Sequence, residues 1–187
     1  MAEKLETFDF ERTLTVVLPG AIVATGVGLL ITSIVPRSLT AAWIRSIATT
    51  DGQLAIVLVL ASSFFGTLCW SLGDWIEETW LDPRATKYWR LSHKEYWRQF
   101  YAYTDLLADK INPHMTRRMQ LMFFCLRTGA ATCFLGLAVV VWARNSRSDM
   151  AIGALTTICG VIVFRLGMAI HLDVAGARNR RFGSPAG

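Results

Sequence analysis

Long apolar runs separated by shorter polar stretches dominate the pattern of this 187-residue chain. An α-helix needs about 20 mostly apolar residues to cross a hydrocarbon core roughly 30 Å thick. Four segments without any acidic residue meet this requirement, at about 14–35, 54–73, 121–142 and 150–170. The pattern therefore predicts an all-α integral membrane protein built as a bundle of four transmembrane helices.

Residues that start, stop or bend helices lie at or near the ends of these runs. Pro36 follows the first run and ends it, and Asp149 is the expected N-cap of the fourth. The pair Asn112–Pro113 predicts that the third helix begins well before its apolar run. Inside the first run, the pair Pro19–Gly20 predicts a kink.

Residues 74–119 form the longest polar segment of the chain and lie between the second and third runs. The pair Asp82–Pro83 predicts a break, because proline disfavours a helical conformation at the residue before it. Ser92 and Glu95 have the spacing of a capping box, so a new helix is expected from there to about Ile111.

This helix is predicted to be amphipathic. Its apolar face carries residues at helical spacing: Trp97, Phe100, Tyr101, Leu107 and Ile111. Such a face either lies on the membrane surface, packs against the neighbouring helices, or docks a soluble partner.

Glycines recur every seven residues in three of the apolar runs, which places them along one side of each helix. Small residues let membrane helices approach closely, where packing drives association. The spacing predicts tight helix contacts, within one chain or between chains, at Gly66, Gly73, Gly129, Gly136, Gly153, Gly160 and Gly167.

Two arginines, Arg127 and Arg165, lie within apolar runs, and Asp74 ends the second run at a comparable depth. At 100° per residue, Arg127 is about 160° from Gly129 and Arg165 is about 140° from Gly160. Either the glycine faces meet and the arginines face outward, or the arginines face inward and the glycines serve oligomer contacts. Asp74 is expected to pair helices through these arginines, or the group binds an anionic lipid headgroup or a phosphate.

The distribution of charge sets the expected orientation. Hydrophobic residues make up 53% of the chain and charged residues 18%, with a net charge of +5. Outside the runs, thirteen Lys and Arg residues fall on the side of the termini and the central segment, and four fall on the other side. The positive-inside rule therefore places both termini in the cytoplasm. The pattern fits a multi-pass protein of a bacterial inner membrane, and this topology explains the basic charge without nucleic-acid binding.

Residues with metal-binding or catalytic chemistry are few and separated. Cys69, Cys125, Cys133 and Cys159 lie in apolar runs without metal-type spacing and are expected to be reduced packing residues. His171 and Asp173 are interpreted as a solvated helix end. No catalytic or nucleotide-binding motif is present in the sequence. The sequence therefore predicts no metal site, no cofactor and no enzymatic activity.

The leading functional expectation is a non-enzymatic, membrane-embedded interaction subunit that docks a partner on the cytoplasmic side. Its expected partners are membrane lipids, including anionic lipids, and either copies of itself or another protein. The alternative is a homo-oligomeric ion channel or membrane-disrupting effector gated from the cytoplasm, and a less favoured one is an enzyme acting on lipid. Residues 175–187 are predicted to form a flexible basic tail.

Overall fold

A computed structural model describes residues 2–35, 39, 42, 46, 50–108, 113–144 and 146–182 of the chain. All regular structure in these ranges is helical. The chain forms α1 (Ala2–Ile34), α2 (Asp51–Ile76), a π-helical turn (Glu77–Leu81), α3 (Asp82–Tyr88), α4 (His93–Ala108), α5 (Pro113–Trp142) and α6 (Arg147–Phe182).

Each predicted apolar run lies in one long helix. Four helical stretches are long and apolar enough to cross a membrane: Thr15–Ile34, Gly52–Tyr88, Arg117–Trp142 and Arg147–Arg181. Their surfaces support this reading, because most of each apolar window is not buried inside the chain. Large apolar side chains that face outward, such as Ile56, Phe64 and Leu155, are what lipid contact requires.

The predicted break at Asp82–Pro83 is wrong, because the chain stays helical through it. Asp82 has helical dihedral angles, and its N–H donates to the carbonyl of Glu77, five residues back. Proline cannot donate the N–H that the regular α-helical ladder needs at its position. The π-helical turn before Pro83 is one wider turn, in which the hydrogen bonds join residues five apart. The helix therefore continues past the missing hydrogen bond of Pro83 and does not end there.

The predicted helix start after Ser92 is confirmed. The Ser92 hydroxyl accepts a hydrogen bond from the N–H of Glu95 at 3.2 Å. The second half of the capping box differs, since Glu95 accepts hydrogen bonds from Arg98 and Gln99. At the start of α6 the cap is Ser146 and not the predicted Asp149, because the N–H of Asp149 reaches the Ser146 hydroxyl at 3.5 Å.

A residue in the left-handed backbone conformation follows the end of α3. Arg90 has a φ of 52°, and the N–H groups of Arg90 and Leu91 bond the carbonyls of Lys87 and Thr86. This is the hydrogen-bond pair of a Schellman motif, in which glycine usually occupies the left-handed position. The turn reverses the chain between α3 and α4 within four residues.

The chain divides into two compact units. The first comprises residues 1–72 and 127–164, and the second comprises residues 73–126 and 165–187. In the first unit, α1 contains Pro19 without interruption and meets α2 at two glycines. A Cβ atom added to Gly20 would lie 2.5 Å from the Gly66 nitrogen, so the two backbones touch.

The glycine stripes of α5 and α6 face each other in the first unit. A Cβ on Gly129 would lie 2.9 Å from the Gly160 carbonyl oxygen, and one on Gly136 would lie 2.7 Å from that of Gly153. The predicted tight contacts are therefore made within one chain at these four positions. In the second unit, Gly167 packs in the same way on Leu126, while Gly73 is half-buried.

The end of α6 corrects the prediction of a flexible tail from residue 175. The helix continues to Phe182, and Ala175 and Arg178 are buried. The composition of this stretch, rich in Gly, Arg and Asn, is typical of disorder, but its side chains pack in the second unit. Residues 183–187 lie outside the described part of the chain.

Replacing Gly160 with Ala is expected to destabilise the fold by about 1–3 kcal/mol, because the new methyl group meets backbone and cannot be accommodated by a rotamer change. The nearest atoms would be the nitrogen and Sγ of Cys133, at 2.5 and 2.7 Å. Thermal unfolding of the purified protein in detergent measures the effect. Gly28→Ala is the matched control, because a Cβ there meets nothing within 4 Å; equal melting temperatures for the two variants would contradict the packing.

Replacing Arg90 with Gly is expected to stabilise the protein by up to about 1 kcal/mol, because glycine adopts a positive φ without steric cost. Arg90→Ala removes the same exposed side chain but keeps the strain, so its melting temperature should stay near that of the wild type. A destabilised Arg90→Gly variant would show that the arginine side chain, and not the turn, determines stability here.

Candidate functional site

The two arginines of the apolar runs lie in different environments. Arg127 belongs to the first unit, where it is buried and its guanidinium carbon lies 3.6 Å from the centre of the Trp70 ring. Arg165 is exposed on α6. Asp74 is half-buried in the second unit. The predicted pairing of Asp74 with these arginines stays a prediction.

Arg127 also shows that opposite faces of one helix can both be buried. The sequence offered two arrangements, in which either the glycines or the arginines face inward. On α5, Gly129 packs against α6 while Arg127 stacks on Trp70 of α2. Because α5 has a neighbour on each side, the glycine stripe and Arg127 are both buried within one chain.

The aromatic face of α4 is largely internal. Trp97 packs edge-on against Tyr96 and Phe100, and it borders the buried cluster around Ala85 and Ala175. Tyr101 differs, since 62% of its surface is exposed. The side chain of Leu107 and the whole of Ile111 lie outside the described residues.

A buried chain of hydrogen bonds joins three helices of the second unit. Arg178, near the end of α6, donates to the Tyr96 hydroxyl of α4 at 2.8 Å. That hydroxyl donates in turn to the carboxylate of Asp82, at the start of α3, through a short hydrogen bond. Asp82, Tyr96 and Arg178 are each at most 6% exposed, so this ionic network is removed from water.

The environment of Tyr96 keeps its hydroxyl protonated. Burial raises the pKa of Tyr96 far above its usual range, and the hydrogen bond to Asp82 raises it further. The nearby guanidinium of Arg178, which lies 4.8 Å from the ring centre, acts in the opposite direction but does not prevail. A neutral hydroxyl can both donate to Asp82 and accept from Arg178, which is what this position requires.

Further contacts hold α4 and α3 against α6. Gln99 is buried and donates to the side-chain oxygen of Asn179 at 3.2 Å. Trp89 donates from its indole nitrogen to the carbonyl of Leu172 at 3.1 Å. Gly176 leaves room for this indole, because a Cβ there would lie 2.9 Å from two of its ring carbons. Polar residues such as Gln99 and Asn179 are usually expected at the protein surface when only the sequence is known. Their contact here depends on the fold.

A second polar group, formed by Glu77, Asp82 and His171, lies in the same unit. Each side chain offers one ligand atom, and these atoms all lie within 4.8 Å of one another. His171 Nε2 is 3.5 Å from the Asp82 carboxylate, and His171 Nδ1 is 3.8 Å from that of Glu77. The expectation of a solvated helix end is therefore wrong for His171, which is 3% exposed.

The π-helical turn explains how the two acids come together. In a regular α-helix, residues five apart point about 140° away from each other. The widened turn is closed by the hydrogen bond from Asp82 N–H to the Glu77 carbonyl, and both carboxylates lie near His171. No local pattern in the sequence indicates this group, since its acids and its histidine are about 90 residues apart and no metal-type spacing links them.

Asp173, the other half of the predicted helix end, does face outward. Its side chain is 66% exposed and lies 3.3 Å from Arg118. All four cysteines are free. Cys125 is buried, Cys69 and Cys133 are half-buried, and Cys159 is exposed, so the expected packing role fits Cys125 best.

Comparisons of the chain with protein-family models, with curated proteins and with solved structures found no match.

Replacing Tyr96 with Phe is expected to destabilise the protein by about 2 kcal/mol, because it leaves a buried carboxylate and a buried guanidinium without their shared partner. Chemical or thermal unfolding in detergent measures the loss. Tyr101→Phe removes the same atom from an exposed side chain and should change stability by less than about 0.5 kcal/mol. Equal effects of the two changes would mean that the Asp82–Tyr96–Arg178 network contributes no net stability.

Proposed function

We propose that the protein is a non-enzymatic, membrane-embedded interaction subunit, and that the exposed face of α4 docks a soluble protein partner at the cytoplasmic side. The four apolar helices anchor the chain in the membrane. The second unit supplies a rigid helical surface, since buried hydrogen bonds from Tyr96 and Gln99 hold α4 against α3 and α6. A preformed surface loses little conformational entropy when it binds.

The observation that carries this proposal is the composition of the outer face of α4. Lys94, Arg98 and Tyr101 are spaced by four and three residues, so they share one side of the helix, and all three are exposed. Tyrosine and arginine are enriched at protein interfaces. The charge of Arg98 is compensated by Glu95 at 2.6 Å, and the remaining positive charge of Lys94 favours an acidic partner. We therefore assign to this face a protein partner with an acidic surface.

Binding of this face to the membrane surface has less support than binding to a protein. A helix that lies in the headgroup region buries large apolar side chains in the lipid boundary. The residues that would do so, Trp97 and Phe100, are half-buried, and they contact Tyr96 and the Arg178 side chain. Among the tyrosine, tryptophan and phenylalanine side chains at positions 96–102, only that of Tyr101 is exposed.

The alternative of a homo-oligomeric pore receives less support. A pore needs a polar stripe along one helix, and the candidate hydroxyls on α2, those of Ser62, Ser63 and Thr67, each donate to a carbonyl of their own helix. Hydroxyls bonded in this way are tolerated anywhere in a membrane helix. The glycine contacts between α5 and α6 are made within one chain and leave that surface unavailable for another subunit.

Lipid contact is the second part of the proposal. Arg165 is exposed on α6, within the fourth apolar run. Its long side chain can place the guanidinium at the headgroups while the stem stays among acyl chains. We assign to it the phosphate of an anionic lipid, and to Arg127 a packing role on Trp70.

Photo-crosslinking in intact membranes tests the docking face. With a benzoyl-phenylalanine at position 101, a crosslink to one protein of defined mass is expected. The matched control is the same residue at position 64, since Phe64 is also 62% exposed but lies in the middle of the second apolar run. Position 64 should crosslink to lipid.

Charge reversal identifies the chemistry of the partner. Lys94→Glu should reduce the crosslink from position 101, whereas Lys87→Glu, an exposed change on α3, should leave it unchanged. Crosslinking of position 101 to lipid alone would assign the face to the membrane surface and overturn the proposal. A crosslink to a second copy of the chain would favour the homo-oligomer.

A further inference from the structure

The group of Glu77, Asp82 and His171 brings two acidic side chains and one imidazole close together. His171 Nε2 is fully buried and has no hydrogen-bond partner. Leaving a polar atom in this state costs about 1–3 kcal/mol, so native proteins usually give it a partner, a water molecule or an ion. The atom that faces it is a carboxylate oxygen of Asp82, at 3.5 Å.

The two acids flank the imidazole, because Asp82 Oδ1 lies 3.5 Å from Nε2 and Glu77 Oε1 lies 3.8 Å from Nδ1. A neutral imidazole has a lone pair on one ring nitrogen, with which it can bind a metal ion. The Asp82 carboxylate already accepts from Tyr96, so it is held in place by a second interaction, as metal-ligating carboxylates usually are.

We propose that Glu77, Asp82 and His171 bind one divalent transition-metal ion. One imidazole and two carboxylates, without a thiolate, form a ligand set typical of zinc and of other borderline ions such as manganese and iron. Three protein ligands leave a position open for water. The ion would join the π-helical turn to α6 within the second unit and so stabilise the surface that α4 presents.

Metal titration of the full-length protein tests this site. The protein is purified without a polyhistidine tag, treated with a chelator and titrated with zinc sulfate, by calorimetry and by the shift in melting temperature. One zinc ion per chain and a higher melting temperature are expected. Titration with cobalt chloride should give visible absorption bands of a site with nitrogen and oxygen ligands, which adventitious binding at the surface would not produce.

Two variants and one control locate the site. His171→Gln and Glu77→Gln should each lower zinc affinity by more than about 100-fold, beyond the 10–100-fold cost of losing an outer-sphere partner. His93→Gln removes an exposed histidine and should bind zinc as the wild type does. If His171→Gln fails to fold, Glu77→Gln decides the question, because it keeps the shape of the side chain.

The proposal is overturned if the wild type binds no stoichiometric zinc, or if Glu77→Gln binds it as tightly as the wild type. It is also overturned if His93→Gln abolishes the binding, since the ion would then lie elsewhere. These outcomes are independent of the crosslinking result at position 101, so the metal site and the docking face succeed or fail separately.

Discussion

The burial of Asp82 is the constraint around which the second unit is organised. An isolated carboxylate in a protein interior would cost several kcal/mol, so its neighbours must supply hydrogen bonds and positive charge. Tyr96 supplies the bond, and Arg178 supplies the charge through the tyrosine hydroxyl. These two residues come from α4 and α6, so satisfying one carboxylate fixes three helices at once. The packing of Trp89 and Gly176 follows from that arrangement.

The first unit obeys a different physical rule. Its helices are long and apolar enough to cross a membrane, and in lipid the association of such helices depends on close backbone packing. Glycines on α5 and α6 allow this approach, and so do Gly20 and Gly66 on α1 and α2. Within this apolar setting, Arg127 is held by the face of the Trp70 ring. Aromatic stacking lets a cation be buried in a unit that offers few polar groups.

The sequence predicted those parts of the fold that depend on local pattern. The four long helices, the cap at Ser92 and the glycine contacts follow from apolar length, hydrogen-bond spacing and residue size, each of which is visible within a few residues. The π-helical turn was missed because Pro83 usually ends a helix, and only tertiary support keeps it helical. His171 was misread because its polar neighbours come from residues about 90 positions earlier. A contact between residues so far apart in the chain cannot be predicted from a local sequence pattern.

The second unit is also discontinuous in sequence, and this has a consequence for its biogenesis. Arg178 and Tyr96 are 82 residues apart, and the whole of α5 and most of α6 lie between them. Because the ribosome synthesises the chain from its N-terminus, Asp82 and Tyr96 are present long before Arg178. Asp82 therefore lacks the positive charge of this partner until the end of α6 has been made. The buried network closes only in a chain that has been completed through Arg178.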